Sequence, residues 1–301
     1  MRESSGISLK DILGFFMKYN DCALWTVLLQ IIFFDKKQMS QLPRISIVTP
    51  SFNQANYIAR TIESVLSQDY PDLEYIIIDG GSKDGSREII RQYEQQLAYW
   101  ESIPDKGQTD AINKGFSRAS GKYLAWLNSD DVYHAGALAE AVTYLEDHPE
   151  VGMVYGDCDF IDAQEKQIGM FPAAQTDYRR LRRGYVHIPQ QASFFRADLW
   201  RKVGPLDPSF YFAMDYDLWV RLAEQAPLVY FPDHLWAGFR LHGEAKTITA
   251  DARCWPEMLR VHYRQGGHWL SPIVLKYGLR RLLAPLINWN RRRMFREGRK
   301  E

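Results

Sequence analysis

Tyr123-Leu124-Ala125-Trp126-Leu127-Asn128-Ser129-Asp130-Asp131 is an apolar, strand-like run that ends abruptly in two adjacent carboxylates. Asp is a poor strand former, and neighbouring Asp130 and Asp131 are expensive to bury unless a cation neutralises them. Oxygen donors of this kind suit a hard divalent ion, Mg²⁺ or Mn²⁺, which commonly shares its site with substrate phosphates. Taken alone, the same residues also read as a polar turn capping a helix that starts near His134.

Outward from this run the chain alternates strand and helix from residue 44. Ile45-Ser46-Ile47-Val48-Thr49 is a β-branched run stopped by Pro50, and Ile58, Ile62, Val65 and Leu66 then recur at helical spacing. Tyr75-Ile76-Ile77-Ile78 is a second strand, followed by a helical stripe at Ile89, Ile90, Tyr93 and Leu97. A strand over 99–103, a helix over 110–119, the strand 123–127, a helix over 134–147 and a strand over 152–155 continue the rhythm. Unbroken apolar strands between helices predict an α/β domain with a mainly parallel, Rossmann-like sheet covered on both faces. Ligands of such sheets sit outside the carboxyl ends of the strands. Thr49-Pro50-Ser51, Asp79-Gly80-Gly81 and Asn128-Ser129-Asp130-Asp131 all fall at those ends, so three polar clusters converge on one rim. Beyond residue 157 the rhythm loosens into a hairpin about Asp162-Ala163-Gln164-Glu165, helices at 199–203 and 216–226, and a mostly helical stretch from 256.

The 301 residues suffice for one large domain with appendages. Cys22, Cys158 and Cys254 are widely separated and form no CxxC pair, which signals neither a zinc site nor a disulfide framework and fits a reducing, cytoplasmic setting. The longest apolar run, 23–34, is well short of the roughly 20 residues a spanning helix needs. Formal net charge is zero, yet residues 276–301 hold nine Lys/Arg against Glu297 and Glu301, so the remainder is net acidic. No GxGxxG follows the first strand and no GxxxxGK[ST] occurs, which counts against dinucleotide-binding and P-loop proteins.

Each cluster has a chemical and a plain structural reading. The glycines of Gly80-Gly81-Ser82-Lys83-Asp84-Gly85-Ser86 permit close backbone approach, or form a routine strand-to-helix turn. Asp79 at its strand tip can accept a hydrogen bond from a base or ribose. Asp110 and Asn113 sit on a helix rich in polar groups, which is often merely a wet face. Asp215, opening a helix beside Asp217, is either a cap or a general base on a rigid element. Trp100, Trp126 and Trp219 read as core.

Thr49-Pro50-Ser51-Phe52-Asn53, Asp79-Gly80-Gly81-Ser82-Lys83-Asp84-Gly85-Ser86, Asn113-Lys114-Gly115, Asn128-Ser129-Asp130-Asp131 and Met214-Asp215-Tyr216-Asp217-Leu218-Trp219, in this order, resemble glycosyltransferase family 2 over about residues 44–248. The resemblance implies a GT-A fold and an inverting transferase that uses a nucleotide-activated sugar and a divalent metal. It implies a nucleotide-sugar site at Pro50, Ser51, Phe52, Asn53, Asp79, Gly81, Asp110, Asn113, Asn128, Asp130 and Lys246. Metal would fall to Asp131 as direct ligand, with Asp130, nearer the ribose or sugar, and His242. Asp215 matches the base that deprotonates the acceptor hydroxyl, and His187, Gln190 and Gln191 are expected on the acceptor side. The family motif often reads Asp-Asp-Gly-Ser, whereas here its second position is Gly80.

The expected organisation is a helical extension over 1–43, a transferase domain over 44–255 (nucleotide half 44–157, acceptor half 158–255), and a basic amphipathic helical segment over 256–301. That segment is either a solvated tail or a surface lying on anionic lipid, and a lipid-linked acceptor favours the second. The partners implied are a UDP-sugar by family frequency, or a GDP- or dTDP-sugar, and a glycan or lipid-linked acceptor in polysaccharide or glycolipid assembly. Contact would then be peripheral, at the inner membrane face. No groove-reading motif accompanies the basic tail, so nucleic acid is not an expected partner. The rival readings are a sugar-nucleotide-binding scaffold without turnover and a sugar-phosphate nucleotidyltransferase, which needs a Gly-rich basic loop where Ser51-Phe52-Asn53-Gln54 stands.

Overall fold

The computed structural model describes residues 42–242, 251–279 and 281–282. The chain divides into two compact units, Met1–Leu42 and Pro43–Glu301, and all described residues except Leu42 belong to the second. Residues 1–41 of the extension expected over 1–43, Lys246, and the arginine-rich run from 283 lie outside the described residues.

Strands β1 (Ile45–Ser51), β2 (Leu73–Asp79), β3 (Tyr99–Ser102) and β4 (Tyr123–Trp126) run parallel in the order β3-β2-β1-β4. Helices α1 (Ile58–Leu66), α2 (Ser86–Gln92) and α3 (Gln108–Arg118) lie between them in sequence. Every residue of β1 and β4 is buried, which is why neither strand alternates polar with apolar residues. α3 seats closely on β1: a Cβ on Gly115 would come within 2.4 Å of Val48 Cγ1. Register sets Ser51 opposite Asp79 and Asp79 opposite Ser102, so the last rung of the sheet is wholly polar.

The second half is mixed. It comprises β5 (Val132–Tyr133), α4 (Ala137–Asp147), β6 (Met153–Ile161), β7 (Gln167–Met170), α5 (Tyr178–Arg182), β8 (Ser193–Arg196), α6 (Ala197–Val203), α7 (Met214–Gln225), β9 (Leu228–Arg240) and α8 (Asp251–Arg264). The sheet continues β4-β8-β6-β9-β5, with β8 antiparallel to both neighbours, β6 parallel to β9, and β7 paired to β6. The helix expected from His134 begins at Ala137. The His134 N–H is bonded to the Trp236 carbonyl at 2.9 Å and Gly136 turns through φ 86°, so the chain is still at the sheet there. β9 lies in a stretch for which the sequence reading assigned no element, and it contains Pro232 within the strand. The strand accommodates it by register shifts against β6 and a left-handed Asp233 (φ 66°).

Phe116, Trp126, Phe195, Trp200 and Trp219 join α3, β4, β8, α6 and α7 into one core. Trp126 and Trp219 stack at 5.4 Å and are fully buried, so they are core as expected, while Trp100 is half-buried. Among the described residues no helix is long and apolar enough to cross a membrane.

Candidate active site

Asp79 closes the polar rung and is completely buried. Its Oδ1 accepts from the Ser51 hydroxyl (3.0 Å) and the Ser82 hydroxyl (2.5 Å). Its Oδ2 accepts from the N–H groups of Gly81 (3.1 Å) and Ser82 (2.9 Å) and from the Ser102 hydroxyl (2.6 Å). Five donors leave it no free lone pair aimed outward, so Asp79 organises the loop rather than presenting itself to a base. Gly81 turns through φ 84°, where a Cβ would also sit 3.1 Å from Pro104. Asn53, also left-handed (φ 52°), ties the β1 loop to the same turn by accepting from Lys83 N–H, while its own N–H donates to the Ser82 hydroxyl. Pro50 is buried and Phe52 is 61% exposed at the rim.

Sequence reasoning passed over Asp105. A Cβ on Gly80 would lie 3.0 Å from Asp105 Oδ2, so the Asp105 carboxylate occupies the space over Gly80. Its Oδ1 accepts from Gly107 N–H at 2.8 Å, and Oδ2 has no partner among the described residues. Burial, with the charges of Asp110 and Asp79, holds this carboxyl above its ordinary range against the pull of Gly107 N–H and Lys114. The signal was available: Gly stands at the motif position where the family often has a second Asp.

The strand-end carboxylates differ sharply from one another. Asp131 is fully buried and accepts from Asn128 Nδ2 (3.0 Å), Gln191 Nε2 (3.0 Å) and the Arg240 N–H (3.0 Å). Burial first, and then the Asp130 charge, push its carboxyl well above the usual range. Asp130 is half-buried, and its Oδ2 lies 3.0 Å from His242 Nε2. The His242 ring packs 4.5 Å from that of Tyr57. Asp130 is thus the more exposed of the two carboxylates (18% of its side chain, against a fully buried Asp131), and His242 backs it from a buried position with 5% of its side chain exposed. A second omission from the sequence reading is the role of Arg240. It is 1% exposed, donates to the Asp130 carbonyl (2.8 Å) and pairs with Glu165 (3.1 Å), locking β9 and the hairpin turn under the carboxylates.

Gln190 and Gln191, expected on the acceptor side, are buried beneath this rim. Gln190 accepts from Asn128 Nδ2 and donates to the Trp126 carbonyl (2.7 Å), while Gln191 holds Asp131. His187 lies further along this segment, bonded to the Pro172 carbonyl at 3.0 Å. Asp110 is paired with Lys114 at 3.0 Å. Both ends of the Asn113 amide are taken by the Leu206 backbone (2.8 and 2.9 Å), so Asn113 clamps the loop after α6 rather than facing the rim.

Asp215, in the first turn of α7, is half-buried. Glu257 of α8 accepts from the N–H groups of Tyr211, Phe212 and Ala213, a carboxylate placed at the positive end of α7. From α7 a chain of contacts runs back to the rim. Thr109 donates to Met214 Sδ at 3.1 Å, the adjacent Gln108 donates to Asn128 Oδ1 at 2.7 Å, and Asn128 holds Asp131. Among the described residues no cluster of three or more His, Cys, Asp or Glu could hold a metal unaided. The Asp130–His242 pair nonetheless fits a Mg²⁺ or Mn²⁺ ion that takes its other ligands from phosphate oxygens and water.

This geometry sits on a fold with known counterparts. Staphylococcus aureus TarS 1-349 in complex with UDP-GlcNAc superposes with a TM-score of 0.60 at 15% identity, over 80% of this chain and 73% of that one. The mannosyltransferase PcManGT of Pyrobaculum calidifontis, in complex with GDP-Man and Mn²⁺, superposes with a TM-score of 0.57 at 21% identity, over 74% and 64%. Both share the GT-A fold. A protein of Mycobacterium tuberculosis (strain H37Rv), described as an uncharacterized glycosyltransferase, is 35% identical over 188 residues, 62% of this chain and 71% of its own. The PGL/p-HBAD biosynthesis glycosyltransferase of Mycobacterium bovis (strain BCG / Pasteur 1173P2) is 29% identical over 191 residues, 62% and 72%. The family model described as glycosyl transferase family 2 matches residues 46–204, from β1 through the buried Asp131 cradle to the end of α6. A sheet whose parallel half gathers its carboxylates on one rim, and a family match over more than half of the chain that includes that half, together make this chain a glycosyltransferase belonging to family 2.

Proposed function

We propose that the protein transfers a sugar, with inversion, from a nucleoside-diphosphate donor to an acceptor hydroxyl in polysaccharide or glycolipid assembly. The observation that carries this reading is the contact chain from α7 to the rim, which fixes Asp215 and the Asp130–His242 pair in one frame. An acceptor hydroxyl is too weak an acid to attack unaided, so Asp215 takes its proton as the new bond forms. Attack in line with the departing diphosphate inverts the anomeric carbon. A Mg²⁺ or Mn²⁺ ion held by Asp130 and His242 would supply charge neutralisation for the leaving group. In this assignment Asp130 rather than Asp131 is the direct ligand, because Asp131 has all its oxygens engaged by protein. Asp105, with one free oxygen above Gly80, faces the nucleoside in place of a carboxylate at position 80.

The donors bound by TarS and PcManGT, UDP-GlcNAc and GDP-Man, make uridine and guanosine diphosphates the first to try. Titration calorimetry with UDP, GDP and dTDP, each with Mn²⁺ and with EDTA, is expected to show one nucleotide binding in a metal-dependent way. Asp215→Asn is expected to keep that binding and lose roughly 10²–10⁴ in kcat. Binding of no nucleotide, or full turnover by Asp215→Asn, overturns the assignment.

A further inference from the structure

A second cleft, of about 560 Å³, lies between α5 with its following turn and the segment after α8. Arg179, Arg182 and Arg183 line one side, and His262, His268 and Ser271 the other. Arg180 completes a set of four guanidinium groups within residues 179–183. No carboxylate among the described residues lies within ion-pair distance of any of them, whereas Arg221 and Arg264 each hold an Asp. Asp177 caps α5 through the Arg180 N–H and does not reach a guanidinium. Arg182 Nε is buried without a partner, and its Nη2 makes a long 3.3 Å bond to the Gly266 carbonyl. Arg180 and Arg182 lie over the Tyr185 and Tyr178 rings at 5.9 and 5.4 Å, but crowded arginines with no carboxylate partner still repel one another unless an anion is present, and their planar forks match phosphate oxygens.

The cleft also has an apolar border. Leu270 lines it and Trp269 beside it is 64% exposed. Along the helical stretch 272–279 and just beyond, Leu275 (58% exposed), Leu279 (59%) and Leu282 (78%) recur at i, i+4 and i+7. A stripe of exposed Leu, with an exposed Trp269 in the turn before it and arginines that lack a carboxylate beside it, is suited to a surface that meets lipid tails and their phosphate headgroups together. The frame is shared with the proposed base: the Tyr216 hydroxyl, one residue past Asp215, donates to the Leu181 carbonyl at 2.6 Å.

We infer that this cleft binds the phosphate or diphosphate of a lipid-linked acceptor. The inference rests on the reading of Asp215 as the base that faces the acceptor, and it names the class of that acceptor. The full chain is tested in EDTA, which silences metal-dependent binding at the donor site. Inorganic pyrophosphate is titrated calorimetrically, and sedimentation is measured with phosphatidylcholine vesicles with and without phosphatidic acid. Wild type is expected to bind pyrophosphate and the anionic vesicles. Arg179→Glu/Arg183→Glu, two exposed positions, is expected to weaken both roughly tenfold or more while nucleotide binding with Mn²⁺ is unchanged. Leu275→Ser/Leu279→Ser is expected to weaken vesicle binding alone. Pyrophosphate and vesicle binding that survive the charge reversal, or are absent from wild type, overturn the cleft as a phosphate site. Pyrophosphate binding without vesicle binding overturns the lipid-linked source. A wild type that binds no nucleotide at all fails the donor reading instead, independently of what the cleft does.

Discussion

At position 80 the side chain has been removed and a carboxylate from elsewhere fills the space: Asp105 Oδ2 is 3.0 Å from where a Gly80 Cβ would be. Two carboxylates cannot share that spot, so Gly80→Asp alone is expected to fold poorly or bind nucleotide weakly, through overlap and like-charge repulsion. Asp105→Ala is expected to weaken nucleotide binding about tenfold, equivalent to about 1.4 kcal/mol. The swapped variant Gly80→Asp/Asp105→Ala is expected to recover most of it. Calorimetry on the three variants decides: equal affinity in wild type and Asp105→Ala leaves Asp105 as loop scaffolding. Asp79, Asp130, Asp131 and Asp215 stand out in the sequence because acidic residues at the ends of apolar runs are conspicuous. How deeply each is buried and which donors it holds cannot be read there, because that depends on residues more than 50 positions away, such as Gln191 and Arg240 on Asp131.

Among the elements, α3 is the clearest case of a motif whose job the pattern alone misplaces. Its polar stripe marks it as special, yet the stripe divides three ways. Gln108 and Thr109 link the rim to α7, Asp110 pairs with Lys114, and Asn113 grips the Leu206 backbone. Asn113→Ala leaves a backbone N–H and carbonyl without partners and is expected to cost about 2 kcal/mol of stability, at roughly 1 kcal/mol per bond. Nucleotide affinity is expected to stay within error of wild type. A thermal melt and a nucleotide titration on one preparation test both halves, and lost affinity with an unchanged melting temperature would return Asn113 to the nucleotide site. The strands divide in the same manner. β1, β2 and β4 are largely apolar runs buried in the sheet and announce themselves, whereas β9 carries Pro232 and a left-handed Asp233 and is held as a strand by pairing with β6 on one side and β5 on the other. Yet it is β9 that delivers Arg240 to the carboxylates.

For the molecule as a whole, the parallel first half could be read from its periodicity, while the way α8 is fastened could not, because its anchors pair residues far apart in sequence. Among them are Glu257 at the start of α7, Arg260 on the Ser209 carbonyl, and Arg264, which bonds Asp207 at 2.5 Å. Burial alone would raise the Asp207 carboxyl, but hydrogen bonds from Arg264 and Ser209 outweigh it and hold the group at about 2. A carboxyl lowered in the folded state stabilises the fold above its unfolded value, and that contribution is lost as pH falls from about 4 to about 2. With the Asp207 side chain 28% exposed, solvent screening limits the contribution to about 1 kcal/mol. Arg264→Ala removes the strongest of those hydrogen bonds and lets the Asp207 carboxyl rise toward its ordinary range. The stability gap between wild type and Arg264→Ala is therefore expected to be full at neutral pH and to shrink steadily on acidification below about pH 4. Urea unfolding of both proteins across that range measures it. A gap that stays constant with pH would mean that Arg264 acts only through its packing over the Phe210 ring, 4.9 Å from the guanidinium carbon, and that α8 is held by contact rather than by charge.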